Sequence, residues 1–160
     1  MFNFDGILAH ERRNANHVDL NRNLPTKDWT AEVVTERYSP GAAAGSELEN
    51  QALVQYLESA EKPVLIISLH SWKPMLNING DCRRVAEAIG ASTGYLIEES
   101  IGYPTPGCLG TYAGLERAIP TITYEIERGL DQASVLRAHV PALLHGLRFI
   151  EKEFSQILVK

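Results

Sequence analysis

Val64-Leu65-Ile66-Ile67-Ser68-Leu69, followed at once by His70-Ser71-Trp72, is the stretch that decides the fold. It is a continuous run of β-branched and long aliphatic residues, preceded by Pro63. Such a run predicts a strand buried on both faces, as in a parallel sheet. Upstream, Ser46-Glu47-Leu48-Glu49 reads as a capping box with Ser46 at the N-cap. Leu48, Ala52, Leu53, Tyr56 and Leu57 then recur at helical spacing, predicting a helix over 47–59 that ends before Pro63. Downstream, Asp81 caps a predicted helix through Ile89, with Gly90 as its stop. A short strand is predicted at 95–98, a Pro/Gly loop at 102–107 and a short helix at 110–118. Thr121-Ile122-Thr123-Tyr124-Glu125-Ile126 alternates and is β-rich, so it predicts another strand. A final helical stretch over 131–154 contains Pro141, which predicts a kink or two helices. Residues 1–45 carry little periodic signal and read as loops, with at most a short strand at 1–4; loops of that length are most often functional. Strand and helix in alternation predict an α/β, three-layer sandwich, with a mixed, mostly parallel twisted sheet and helices on both faces.

The chain has 160 residues, which suits one domain spanning 1–160. Its 44% apolar content argues against disorder. A formal charge of -5 argues against a nucleic-acid partner, which calls for a basic excess. No apolar run approaches the roughly 18 residues of a membrane span, so no membrane partner is expected. The N-terminal residues lack a basic region followed by an apolar one, so no signal peptide is read and a cytoplasmic location is expected. Cys82 and Cys108 match neither a zinc-ribbon nor a redox spacing, and read as free thiols in a reducing compartment.

Four segments place polar groups where a fold alone does not need them. The stretch 12–23, Arg-Arg-Asn-Ala-Asn-His-Val-Asp-Leu-Asn-Arg-Asn, holds three arginines and four asparagines in an acidic chain. Guanidinium forks match carboxylates and amides add donors, so the loop can recognise a substrate carboxylate. Alternatively it is a solvated loop whose asparagines make turns. His70 follows the apolar strand, and ligands of open α/β sheets bind at strand carboxyl ends. It can be a metal ligand, a general base or a hydrogen-bonded core residue. Tyr103, on the Pro/Gly loop, can swing over a pocket or simply line a rim. Glu125, in an apolar strand, is expected at the sheet's edge or end. If buried, its pKa would rise and suit a general base; otherwise it is an edge charge facing water. His139 and His145 read as structural or exposed.

In their order along the chain, these segments resemble the zinc carboxypeptidase family. Val18-Asp19-Leu20-Asn21-Arg22-Asn23-Leu24-Pro25 is the specific match. Asn3-Phe4-Asp5-Gly6, Tyr38-Ser39-Pro40-Gly41, Ala44-Gly45-Ser46-Glu47, Ser68-Leu69-His70-Ser71 and Thr123-Tyr124-Glu125 resemble further family segments. The Arg-rich loop and the turn at 104–107 are most similar to the bacterial branch containing murein tripeptide amidases. The resemblance implies zinc-dependent hydrolysis of a peptide or amide bond next to a terminal carboxylate, in peptides such as those of the cell wall. It implies His70 as a zinc ligand and Glu125 as the base acting on water. It implies Arg12 at the developing oxyanion, Asn21 and Arg22 on the substrate carboxylate, and Tyr103 closing over the substrate. His17 stands where the family has Gly, which matters if φ is positive there.

One departure bears on activity. The family's first two zinc ligands, a His and a Glu three residues later, lie before the Asn3–Gly6 turn, where this chain has no such pair. No His here is followed three places later by Glu or Asp: His10 precedes Arg13, and His70 precedes Lys73. The chain therefore reads as the C-terminal portion of the full domain. Two other readings stand beside it: a pseudoenzyme that binds peptide carboxylates without cleaving, and recruitment of a different metal arrangement or partner chain. Missing strands would leave an open sheet edge and so favour self-association.

Overall fold

The computed structural model describes residues 3–59 and 61–158, with side chains described as far as residue 153. The elements in chain order are α1 (Phe4–Ala9), α2 (Leu48–Leu57), β1 (Ile66–Trp72), β2 (Met75–Asn79), α3 (Arg83–Thr93), β3 (Leu96–Glu98), β4 (Thr121–Glu127) and α4 (Gln132–Leu158). Short 3-10 turns lie at Leu20–Arg22 and Glu36–Tyr38, and a π-helical segment at Gly110–Leu115. The chain forms two compact units. One comprises Met1–Val64 with Tyr103–Ile119, the other Leu65–Gly102 with Pro120–Lys160.

The second unit is built on a mixed sheet of order β1-β4-β2-β3. β1 with β4 and β2 with β3 are parallel; β2 with β4 is antiparallel. Register places Leu76, Ile78, Ile122 and Tyr124 on one face, because side chains alternate along a strand. That face meets Cys82, Ala86 and Ile89 of the α3 region and Ala142 of α4, forming the core cluster. Each Leu or Ile buried this way contributes about 1.5–3 kcal/mol relative to exposure. α3 and α4 lie side by side, joined by the Arg84–Glu153 ion pair and by Ser92 Oγ with His145 Nδ1. The opposite sheet face is polar, carrying Ser68, His70, Asn77, Thr123 and Glu125.

Several expectations change. The apolar run does form β1, but as an outer strand of the described sheet, with Leu69 55% exposed, so it is not buried on both faces. β1 also continues through His70 to Trp72. β2 was not foreseen, although Met75-Leu76-Asn77-Ile78-Asn79 alternates as a half-buried strand should. Gly90 does not stop α3; the helix runs to Thr93 and ends at Gly94, whose φ of 72 is the left-handed conformation that glycine adopts freely. α4 continues across Pro141 as one helix.

The first unit holds α1, α2, the two 3-10 turns and the π-helical segment. Phe4 opens a helix rather than ending a strand, because the Asn3 side chain accepts the Gly6 N–H at 2.9 Å and caps it. The rest of the expected strand, Met1 and Phe2, lies outside the described residues. Ser46 does not cap α2. Its hydroxyl donates to Glu47 Oε1 at 2.7 Å and accepts from Asn23 at 3.0 Å, and Glu47 becomes the N-cap position. Val18, Leu20, Leu24 and Leu57 are buried in this unit. Cys82 and Cys108 are both free thiols, as read from their spacing.

Candidate active site

In the second unit, His70 and Glu125 are register partners on adjacent parallel strands, so both side chains project from the polar sheet face. Glu125 is not on an edge strand, although it lies toward the sheet's end, since its partner Met75 is the first residue of β2 and β4 stops at Glu127. β4 is an inner strand, and Glu125 is only 8% exposed, flanked in register by His70 and Met75. A central position was hidden from the sequence because Met75–Asn79, the strand on its other side, was not recognised. His70 Nε2 lies 3.0 Å from Ser68 Oγ, its same-face neighbour on β1. Behind the sheet, Tyr124 hydroxyl lies 2.6 Å from His139 Nδ1, which anchors β4 from the face opposite Glu125. Burial pushes the Tyr124 hydroxyl pKa up and the His139 pKa down. His139 is thus structural and His145 exposed, as expected.

In the first unit, the stretch 12–23 divides into residues that hold the loop and residues that the loop presents. Asn23 is fully buried. Its amide donates to the carbonyls of Pro40 and Ala43 and to Ser46 Oγ, and its oxygen accepts from Glu47 N–H and Asn50. Asp19, also buried, accepts from Asn21 N–H at 3.1 Å and from Arg12 Nε at 2.7 Å. That ion pair aims the Arg12 guanidinium. Asn21 accepts from Leu109 N–H through its side-chain oxygen at 2.9 Å, leaving its amide nitrogen as the donor. Arg22 donates to the Asn21 carbonyl at 2.6 Å. The Arg12 and Arg22 guanidinium carbons lie 5.0 and 5.4 Å from the centre of the Tyr38 ring. Gly107 lets the segment carrying Leu109 approach. Its φ is 72, and a Cβ there would stand 2.1 Å from the Arg22 carbonyl oxygen, so no other residue fits. His17, with φ 60, adopts the left-handed turn that the family's Gly implied.

Tyr103 is 45% exposed, at the start of the unit's second segment. Tyr112 is buried; its hydroxyl donates to Glu58 at 3.0 Å, and burial pushes its pKa up to about 12. Sequence reasoning assigned no role to Tyr38, Asp19 or Asn23. For Asp19 and Asn23 the signal was present, since both sit within the matched motif. Tyr38 also lies in a matched segment, Tyr38-Ser39-Pro40-Gly41, but the contact of its ring with two guanidiniums joins residues far apart in the chain and leaves no local signal.

A profile of the zinc carboxypeptidase (peptidase M14) family matches residues 1–126, a span that contains every candidate site residue. The chain belongs to the zinc carboxypeptidase family. Murein peptide amidase A of Vibrio campbellii (strain ATCC BAA-1116) is 31% identical over 162 residues, covering 88% of this chain and 64% of that protein. Murein peptide amidase A of Escherichia coli (strain K12) is 32% identical over 123 residues, covering 69% and 49%. The chain thus spans about half to two thirds of the length of these curated relatives. The crystal structure of murein-tripeptide amidase from Escherichia coli O157 superposes with a TM-score of 0.75 at 27% identity, over 88% of this chain and 62% of that one. Bovine thrombin-activatable fibrinolysis inhibitor shares the fold, with a TM-score of 0.64 at 20% identity, over 87% and 57%. These likenesses establish the carboxypeptidase-like α/β architecture with its mixed sheet.

The family's name implies zinc. A catalytic zinc takes three protein ligands and an open position for water. Among the described residues no group of three or more His, Cys, Asp or Glu side chains is placed to hold a metal ion. His70 offers one imidazole, and the described residues therefore do not complete a zinc centre.

Proposed function

We propose that this chain acts in the hydrolysis of a peptide or amide bond adjacent to a terminal carboxylate, with cell-wall peptides as the substrate class. The observation that carries the reading is the pairing of His70 with a buried Glu125 on one polar sheet face, in a member of this family. The similarity to murein peptide amidases supports the substrate class. Glu125 takes a proton from the attacking water as its oxygen bonds to the carbonyl carbon. It returns that proton to the leaving nitrogen as the C–N bond breaks. Arg12, aimed by Asp19, polarises the carbonyl and stabilises the developing oxyanion. Arg22 and the Asn21 amide hold the terminal carboxylate, and Tyr103 covers the substrate. Zinc is the cofactor that the family implies, and His70 is the ligand assigned to it. Because that set is incomplete among the described residues, the roles proposed here rest on Glu125, the arginines and Asn21.

The test is amine release from an N-acylated peptide with a free carboxylate, beside its amidated analogue. Glu125→Gln should lower turnover by about 100-fold or more while sparing binding. Arg22→Ala should chiefly raise KM, since it removes binding common to ground and transition states. Turnover that survives Glu125→Gln overturns the assignment of the base. A wild-type chain that binds the acid and never cleaves it supports a second reading, a peptide-carboxylate binder without catalysis. That reading is favoured by the intact Arg12–Asp19–Tyr38 group beside an incomplete ligand set.

A further inference from the structure

The turn Glu36–Tyr38 is tied to the arginine-rich loop at two points. Arg13 Nη1 donates to the Glu36 carbonyl at 3.1 Å, and Asp19 N–H donates to the Ser39 carbonyl at 2.9 Å. Between these ties the Tyr38 ring meets the guanidiniums of Arg12 at 5.0 Å, Arg22 at 5.4 Å and Arg37 at 6.0 Å. Three like charges converging on one place repel. An aromatic face, negative by its quadrupole, attracts each of them and offsets that repulsion. Arg12 has a carboxylate partner in Asp19, whereas Arg22 is held by the Asn21 carbonyl and the ring. Long guanidinium side chains lose much rotamer freedom when fixed, so something must fix them before substrate arrives.

We propose that Tyr38 is a positioning residue whose ring sets the place and plane of the Arg12 and Arg22 guanidiniums. What those arginines bind rests on the function proposed above; their placement by the ring does not. The ring acts through its face, so the hydroxyl is dispensable and an aromatic replacement preserves the effect. Tyr38 is 36% exposed and is not among the buried core residues, so its replacement removes none of them.

The experiment compares wild type, Tyr38→Leu and Tyr38→Phe by the NMR order parameters of the Arg12 and Arg22 Nε–Hε groups, which report how firmly each guanidinium is held whether or not a ring current acts on it. The same proteins are titrated with acetyl-alanyl-alanine and with its C-terminal amide. Both arginines should loosen in Tyr38→Leu and stay as ordered as wild type in Tyr38→Phe. The leucine variant should bind the acid about tenfold more weakly, with amide binding unchanged, and the phenylalanine variant should bind both as wild type does. Order parameters unchanged in Tyr38→Leu, or lowered as far in Tyr38→Phe, overturn the proposal. Where wild type prefers the acid, so does acid binding that Tyr38→Leu leaves at the wild-type level. If the order parameters fall as expected but wild type binds acid and amide alike, positioning by the ring stands and the carboxylate assignment falls.

Discussion

Arg22 and Asn23 are neighbours in one motif with different tasks. Arg22 faces the Tyr38 ring, whereas Asn23 is fully buried and joins the 18–25 loop to the Pro40–Ser46 turn and to Asn50 of α2. Every group on the Asn23 amide has a partner, and truncation would strand several of them at once. Asn23→Ala should therefore cost about 2–4 kcal/mol, read as a fall in the urea midpoint of unfolding with an unchanged slope. An effect below about 0.5 kcal/mol would show that the loop is held by something else. The motif was legible in the sequence, but its division of labour was not. Composition cannot tell a presented amide from a buried one.

Among the elements, β4 does most to build the site. One face presents Glu125 toward His70, while the other seats Tyr124 against His139 and Tyr95. Burial holds the His139 pKa below its ordinary value of 6.5, so the folded state favours the neutral ring and the unfolded chain takes up the proton first. The stability this contributes is present above pH 6.5 and is lost as pH falls through the lower folded value. Wild type should lose more stability between about pH 7.5 and about pH 5.5 than His139→Gln does, measured by urea melts at each pH. Parallel curves for the two proteins would remove His139 as the cause. β1 lies at the other extreme. It is an outer strand without Lys or Pro between Ile66 and Trp72, and Leu69 is exposed. Such an edge is a template for another strand. Self-association that grows with concentration is expected by light scattering, weakened by Leu69→Lys. A monodisperse monomer with a cooperative melt would count against it.

At the scale of the whole molecule, the candidate residues are shared out between the two compact units. His70 and Glu125 belong to one; Arg12, Asn21, Arg22 and Tyr103 belong to the other. The matched family span, residues 1–126, takes in residues of both units. Among the described residues no three candidate ligands come together, and a lone ligand would neither hold a zinc ion tightly nor aim its water. A zinc titration of the purified chain should show no stoichiometric site tighter than about micromolar. Tight binding that vanishes in His70→Ala would mean that this chain completes a metal centre by another route.

What the sequence alone determined was the α/β class, the family and the identity of the chemical groups. Apolar periodicity, the β-rich runs around 64–69 and 121–126, and the Val18–Asn23 motif are local patterns, legible without any long-range contact. Tertiary structure alone decided that Glu125 lies on an inner strand, that Met75–Asn79 flanks it, and that Tyr38 meets Arg12 and Arg22. Strand order, register and ring-to-guanidinium contact join residues distant in the chain, and no local preference encodes which distant partner wins.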